Sequence, residues 1–530
     1  ASGSLAWTAG LTISGTLSPG NSPGTITMAS LTMTAAATYL VQVTNTISDK
    51  AIVTGTANIA GNVIVQPLER ITRKTTYTIV NAGTLSGTFG SASLLLANNL
   101  ARNPVLSYVG NDVLLSVDPG LLSPILPANA GINHRSVAGA IDNGLLGGAN
   151  LSNAFSAIFN LSGDNLLNGL TQLSGESAAG SQQTTFNAMN QFMGTMLDPF
   201  IDGRGATAMP AGATPYADDN SLAYAAKHPT SDAAAAIYHK APIAQGYDPR
   251  WSMWAAAYGG SQSTDGNTAL GSNNTTSQVF GTAIGADYRF SPNTIAGFAL
   301  AGGGTNFSVA NSGGGRSDLF QAGAFIRHNV GAAYLAGALA YGWQDVTTDR
   351  TVTVGSIDRL RAEFKANAWS GRAEGGYRFV APWIGGIGLT PYAAGQFTTF
   401  QLPSYAEQAI VGANTFALAT NAKSVTDSRS ELGLRADKSF ALSDSVLTLR
   451  GRAAWAHDFN PDRSIAATFQ TLPGASFVVN GAAQARDSAL TTASAELKWA
   501  NGWSALASFE GEFSNVTRSY AGKGVVRYAW

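Results

Sequence analysis

The sequence predicts an all-β membrane protein whose residues 251–530 form a twelve-stranded antiparallel transmembrane β-barrel. Three observations carry this expectation. Charged residues make up only 12% of the 530 residues while glycine occurs 60 times, a balance that suits extended β architecture better than a soluble enzyme. No run is long and apolar enough to make a membrane helix, so any crossing falls to strands. Residues 251–530 break into roughly twelve segments in which apolar and charged side chains alternate, weakly in each segment but consistently across the set.

The elements follow in chain order. Residues 1–118 are rich in Thr, Val, Ile, Gly and Asn, with short alternating runs such as Thr25–Met33, Tyr39–Val43, Ala51–Gln66 and Asp112–Val117. Short strands with Gly/Asn corners predict a β-solenoid, with a β-sandwich as the alternative because no fixed period can be counted. The start, ASGSLAWTAG, lacks the basic residues and apolar run of a signal peptide, so an export signal and an upstream part are expected ahead of residue 1. Residues 119–199 change texture to Ala, Leu, Asn and Gly. Phe186, Met189, Phe192, Met193 and Met196 fall at helical spacing, and one amphipathic helix is expected across Gly163–Pro199, ended by the proline. Its Met and Phe stripe fits plain core packing as well as a place inside a pore. Residues 200–250 have the Gly/Ala/Pro composition of a linker.

In the barrel region the two faces can be read segment by segment. Arg429, Glu431 and Arg435 share a face opposite Leu432 and Leu434. Arg450 and Arg452 oppose Leu447, Leu449 and Trp455, Glu496 and Lys498 oppose Leu497 and Trp499, and Glu510 and Glu512 oppose Phe509 and Phe513. In a membrane barrel the apolar face must meet lipid, since a charge there costs about 2–4 kcal/mol at the bilayer midplane, so these nine charges would line a wet lumen. Trp251, Trp254, Trp343, Trp455, Trp499, Trp503 and Trp530 stand at segment ends, as interfacial girdles require. Connections such as Ser291–Asn293, Leu442–Ser445 and Asn501–Gly502 are tight, and those near 262–276, 346–360, 403–426 and 460–481 are long, so turns would gather at one rim and loops at the other. One conflict appears: Glu363 and Lys365 have odd parity while Arg372 and Glu374 have even parity, so a β-bulge is expected at Ala368–Arg372. The closing run GVVRYAW alternates in the same way, with Val526, Tyr528 and Trp530 on one face and Arg527 on the other.

These residues resemble the translocator barrel of monomeric, type Va autotransporters of Gram-negative outer membranes. The resemblance implies a barrel that exports its own N-terminal passenger to the cell surface by type V secretion. It implies that Val526, Tyr528 and Trp530 form the signal read by the outer-membrane assembly machinery, with periplasmic chaperones as further partners and outer-membrane lipid around the barrel. Gly15–Met28 and Tyr77–Phe89 resemble the last rungs and autochaperone-like end of a passenger, which implies a short right-handed parallel β-helix over residues 1–118 at the cell surface. The stretch LSGESAAGSQQTTFNAMNQF resembles the pore-spanning helix, placing it at about 176–197, with Gln182, Gln183, Asn187, Asn190 and Gln191 facing the charged walls. Some relatives cleave themselves at an asparagine in this helix, which makes Asn187 and Asn190 weak candidates here. One departure is the linker between helix and first strand, which leaves Ala233–Lys240 as an alternative plug.

Other chemistry is not indicated. The net charge is −1 and no dense basic run appears, which argues against nucleic acid. The absence of cysteine rules out disulfides and thiolate chemistry. The five histidines have no metal-ligand spacing, and the sequence around Ser177 lacks a nucleophile elbow, so no cofactor, metal or catalytic residue is expected. A monomeric export unit without enzyme activity is the favoured reading. The alternative is an outer-membrane porin or passive channel with an N-terminal periplasmic β domain.

Overall fold

The structure is a computed structural model that describes residues 4–19, 23–95, 100–149, 151–198, 250–381 and 386–530. Most of the stretch read as a linker, and with it Ala233–Lys240 and Pro199, lies outside these residues.

The N-terminal part is a parallel β-solenoid. Strands Ser4–Ile13, Thr25–Met33, Lys50–Ile59 and Thr75–Gly87 pair side by side in parallel, and Thr16–Leu17, Thr38–Val43, Asn62–Pro67 and Ser91–Leu94 make a second parallel stack. Their inward residues, among them Met28, Leu31, Val41, Val53, Val65 and Ile79, are fully or almost fully buried. Ser4 stands opposite Thr25, Thr25 opposite Lys50 and Ala51 opposite Val80, so successive rungs are offset by 21, 25 and 29 residues. A coil that lengthens as it proceeds has no fixed sequence period. The stack ends on a hairpin, Ala101–Val109 and Asp112–Pro119, turned by Gly110 (φ 60°), whose second strand runs antiparallel to Thr75–Gly87. That reversal stops the parallel coil.

Among the described residues four α-helices follow: α1 (Ile132–Leu146), α2 (Asn153–Ala157), α3 (Gly163–Ser174) and α4 (Ser177–Met196). The single helix expected over Gly163–Pro199 is thus two. Gly175 breaks it in the left-handed region (φ 66°), where a Cβ would also stand 2.5 Å from the Leu418 side chain.

The barrel strands are β1 (Trp251–Thr264), β2 (Thr275–Ser291), β3 (Thr294–Val309), β4 (Gly313–Val330), β5 (Ala333–Val352), β6 (Asp358–Tyr377), β7 (Ile387–Leu402), β8 (Lys423–Ala441), β9 (Ser445–Asp458), β10 (Asp487–Trp499), β11 (Trp503–Phe513) and β12 (Thr517–Ala529). Each pairs antiparallel with the next. β12 closes on β1 from Ser252↔Ala529 to Thr264↔Thr517 without a register shift. Closure leaves no sheet edge, the condition for strands to sit in lipid. Val526, Tyr528 and Trp530 point outward while Arg527 is buried inside. The expected rim asymmetry holds in part: the loop rim also carries the short connections 310–312 and 514–516, and the long connection expected near 346–360 shrinks to 353–357 because its flanks are strand.

The strands are longer than a membrane needs. β5 and β6 run 20 residues each, against about 9–11 for a crossing. Toward the turn rim their outward residues are apolar (Leu335, Leu339, Trp343, Trp369, Tyr377). Beyond Trp343 and Trp369 the outward positions become Asp345, Asp349, Arg361, Glu363 and Lys365, and the inward ones Leu360, Ala362, Phe364 and Ala366. This overturns the expected bulge. β6 pairs with β5 from Val352↔Asp358 to Ala333↔Tyr377 in unbroken register, and inward parity stays even throughout. Glu363 and Lys365 are odd because they face out, on the part of the strand that stands above the aromatic ring, where outside means water.

Candidate functional site: the barrel lumen

The lumen has two kinds of wall. From β1 to β6 the inward residues around the middle are mostly small and apolar, among them Ala256, Ala283, Ala299, Ala340 and Ala368. From β6 to β12 they are charged or polar. α4 runs down the lumen against the first wall and buries Phe186, Met189, Phe192, Met193 and Met196 there. The fit depends on missing side chains: a Cβ at Gly323 would stand 2.6 Å from Met196, and one at Gly342 2.9 Å from Met189 Sδ. The stripe that the sequence left open between core and pore is therefore both, a packed core inside a barrel.

On the second wall, guanidinium and carboxylate groups interlock. Arg372 pairs with Glu431 (2.9 Å) and Glu374 (3.0 Å), and Arg435 reaches across β7 to Glu374 (2.7 Å). Tyr334 donates to Glu374 (2.8 Å) and accepts from Arg435 (2.6 Å), while the Arg327 and Arg435 guanidiniums lie over the Tyr334 and Tyr392 rings. Arg429 pairs with Glu512 (2.7 Å), Arg450 with Glu496 (2.6 Å) and Arg452 approaches Glu510 (3.9 Å). Such pairs hold only because each buried charge meets its opposite and further hydrogen bonds in the same place.

Eight of the nine sequence-assigned charges, Arg429, Glu431, Arg435, Arg450, Arg452, Glu496, Glu510 and Glu512, are gathered here. Lys498 shares their face but stands exposed at the turn rim, two residues past Glu496. Arg372, Glu374 and Lys523 belong to the same wall, and Arg327 of β4 and Tyr334 of β5 join its network from the other side. Arg372 and Glu374 were hidden by the parity conflict that the strand extension explains, and Lys523 could have been read from its even spacing to Arg527. Trp254, assigned to a girdle, instead points inward and donates to Asp287 (3.1 Å). It alternates with Trp251 and Met253, which face out.

Between α4 and the charged wall lies a cavity of about 150 Å³, lined by Asn187, Asn190 and Gln191 on the helix side. Gln183 donates to Asn187 (3.0 Å), Asn187 donates to Ser277 (3.0 Å), and Asn190 accepts from Gln396. Gln182 and Gln183 sit higher and serve the mouth: Gln182 donates to the Ser464 carbonyl (3.0 Å), and Gln183 accepts from Arg463 (3.2 Å). Amides suit this helix because each donates and accepts. At its lower end Asp198 meets Lys523 (2.7 Å), which also pairs with Glu510 (3.2 Å). At its upper end buried Glu176 accepts from the Asn273 backbone (2.7 Å) and side chain (2.6 Å) in the first loop. Burial nonetheless pushes the Glu176 carboxyl up to about 7.

Residues 253–510 match the family model of the autotransporter beta-domain. An extracellular serine protease of Serratia marcescens is 27% identical over 183 residues, 34% of this chain and 17% of that protein, so the chain spans only a small part of the relative's length, within the β-domain. The translocator domain of autotransporter NalP from Neisseria meningitidis is similar at 18% identity and TM-score 0.43, covering 60% of this chain and 99% of that one. The beta domain of the Bordetella autotransporter BrkA is similar at 18% identity and TM-score 0.41, covering 53% and 100%.

Proposed function

We propose that this chain is an autotransporter translocator unit, an outer-membrane barrel serving type V secretion, and that residues 1–118 are the end of the segment it places on the cell surface. The observation that supports this most is the path of the chain. The solenoid leads into helices at the loop rim, α4 descends the lumen from Asn273 to Lys523, and the barrel begins at the turn rim with Trp251. A chain that exported its N-terminal side and stopped would follow this path. A twelve-stranded barrel admits one helix of about 10–12 Å diameter but no folded solenoid, so the passenger crosses unfolded or as a hairpin.

On this reading the interlocked wall keeps the lumen hydrated without a sticky apolar surface on that side, and α4 fills the pore afterwards. Val526, Tyr528 and Trp530, on the lipid-facing side of the closing strand, serve as the signal for the assembly machinery and periplasmic chaperones. The unit itself is monomeric and non-catalytic. The porin alternative is less supported, because a diffusion channel has no use for a helix packed through its lumen. Asn187 and Asn190 remain weak candidates for self-cleavage, and both side-chain amides are already engaged in hydrogen bonds.

The test is surface display. External protease should remove the solenoid from intact cells carrying the full chain, while Trp530→Ser or Tyr528→Asp should leave a periplasmic, protease-sensitive chain that never inserts. Large steady conductance from the full chain in planar bilayers would overturn the plug and favour a porin.

A further inference from the structure

The loop rim carries more structure than a pore closed by α4 requires. Segments of the barrel's long connections, Tyr405–Ala406, Leu418–Thr420, Ser464–Phe469 and Ser476–Asn480, pair into a four-stranded sheet of their own. Helices α1 to α3 pack on it through a shared apolar core. Phe155 of α2 sits edge-on to Phe416 (4.8 Å) and Phe469 (5.1 Å), and α1 comes so near that a Cβ at Gly144 would stand 2.9 Å from the Leu472 side chain.

Polar contacts fix the register of this packing. Asn133 of α1 donates to the carbonyls of Asn480 (2.7 Å) and Gly271 (3.2 Å) and accepts from the Asn480 backbone (2.9 Å), tying two separate loops to one side chain. The α1 backbone at Ile132 and Asn133 donates to the Ala269 and Leu270 carbonyls of the first loop. Arg350, buried at the top of β5, donates to the Gln172 carbonyl of α3 (2.8 Å) while held by both oxygens of Glu407. The loops therefore offer preorganised donors and acceptors to a helical segment, and bury its apolar face, in the manner of a stable interface.

We propose that the loop face of the barrel is a binding platform whose ligand is the chain's own α1–α3, and that it retains the solenoid at the surface without covalent continuity through α4. The inference rests on the surface orientation proposed above. It assigns the helices between solenoid and pore a separate job: α4 occupies the lumen, and α1–α3 are gripped from outside it.

The test uses the full chain in intact cells, with a protease recognition sequence inserted at the exposed turn Gly147–Gly148 between α1 and α2. After external cutting, the solenoid with α1 should stay on the cells through native washing and leave in denaturant. Adding Asn133→Ala with Ile141→Asp should raise the released fraction at least tenfold, and Leu472→Asp, which attacks the same interface from the barrel side, should do likewise if the first variant fails to insert. Equal release from the unsubstituted cut chain and the variants would overturn the platform. A site that external protease never cuts would overturn the surface orientation instead.

Discussion

The solenoid and the barrel are built from strands of the same alternating kind and use them in opposite senses. In Thr25–Met33 the apolar residues Ile26, Met28, Leu31 and Met33 are buried inside. In β8 the apolar residues Leu432 and Leu434 are on the outside, while Glu431 and Arg435 are buried and Arg429 is half-buried on the inner face. The upper half of β6 shows that topology does not decide the matter, since within the barrel wall itself Leu360, Ala362 and Phe364 turn in while Arg361, Glu363 and Lys365 turn out. Alternation therefore encodes two faces, and the surrounding medium determines which one is buried. That medium changes at the ring of Trp343 and Trp369.

Substitutions can sharpen the contrast, beginning with the largest expected effect. Arg435→Met takes the closer of two guanidiniums from Glu374, which keeps Arg372 and the Tyr334 hydroxyl, so the loss should fall at the lower end of the about 3–5 kcal/mol that removing one partner of a buried pair costs. Denaturant unfolding in lipid vesicles would measure it. The triple variant Arg435→Met, Glu374→Leu, Tyr334→Phe, which removes the linked polar groups together, should recover most of the loss, which a simple packing defect would not.

Next, Leu449→Arg puts a charge on the outward face of the membrane zone and should cost about 2–4 kcal/mol in the same assay. Lys365→Leu, also outward but above the aromatic ring, should change stability by no more than about 0.5 kcal/mol. Comparable losses at both positions would contradict the change of medium along the wall.

A pH effect at the mouth should be smaller and local. The folded-state carboxyl of Glu176 titrates near 7, above its unfolded value. Its contribution to stability is therefore fully present below the ordinary carboxylate range and is lost as pH rises through about 7. Protection factors of the amides in α3 and the start of α4, corrected for the base-catalysed intrinsic rate, should be lower at pH 8 than at pH 5, and Glu176→Gln should abolish that difference.

Much of this was legible from spacing. Charge alternation found the lumen residues of β8 to β11, and the Phe/Met stripe located α4, because both depend on local periodicity within one element. What escaped depended on relations between elements. Trp254 was misassigned because an aromatic at a strand end can stand on either face. The bulge was inferred from a parity conflict that came from a change of solvent, which no strand pattern records. The lengthening rungs at 21, 25 and 29 residues concealed the solenoid's repeat, and the cap at the mouth was invisible because α1–α3 find their partners in loops more than a hundred residues away.

The account's central claim is that one unbroken strand passes from lipid to water without changing which of its faces is outside. Spin labels at outward positions of β6 in the full chain, reconstituted in vesicles, test it most directly. Labels at 369, 373 and 377 should be relaxed by oxygen dissolved in the bilayer, and labels at 361, 363 and 365 by a water-soluble nickel chelate. Uniform access of the chelate to all six would mean a soluble barrel, and a switch of exposed parity between 365 and 369 would mean that the wall contains the bulge after all.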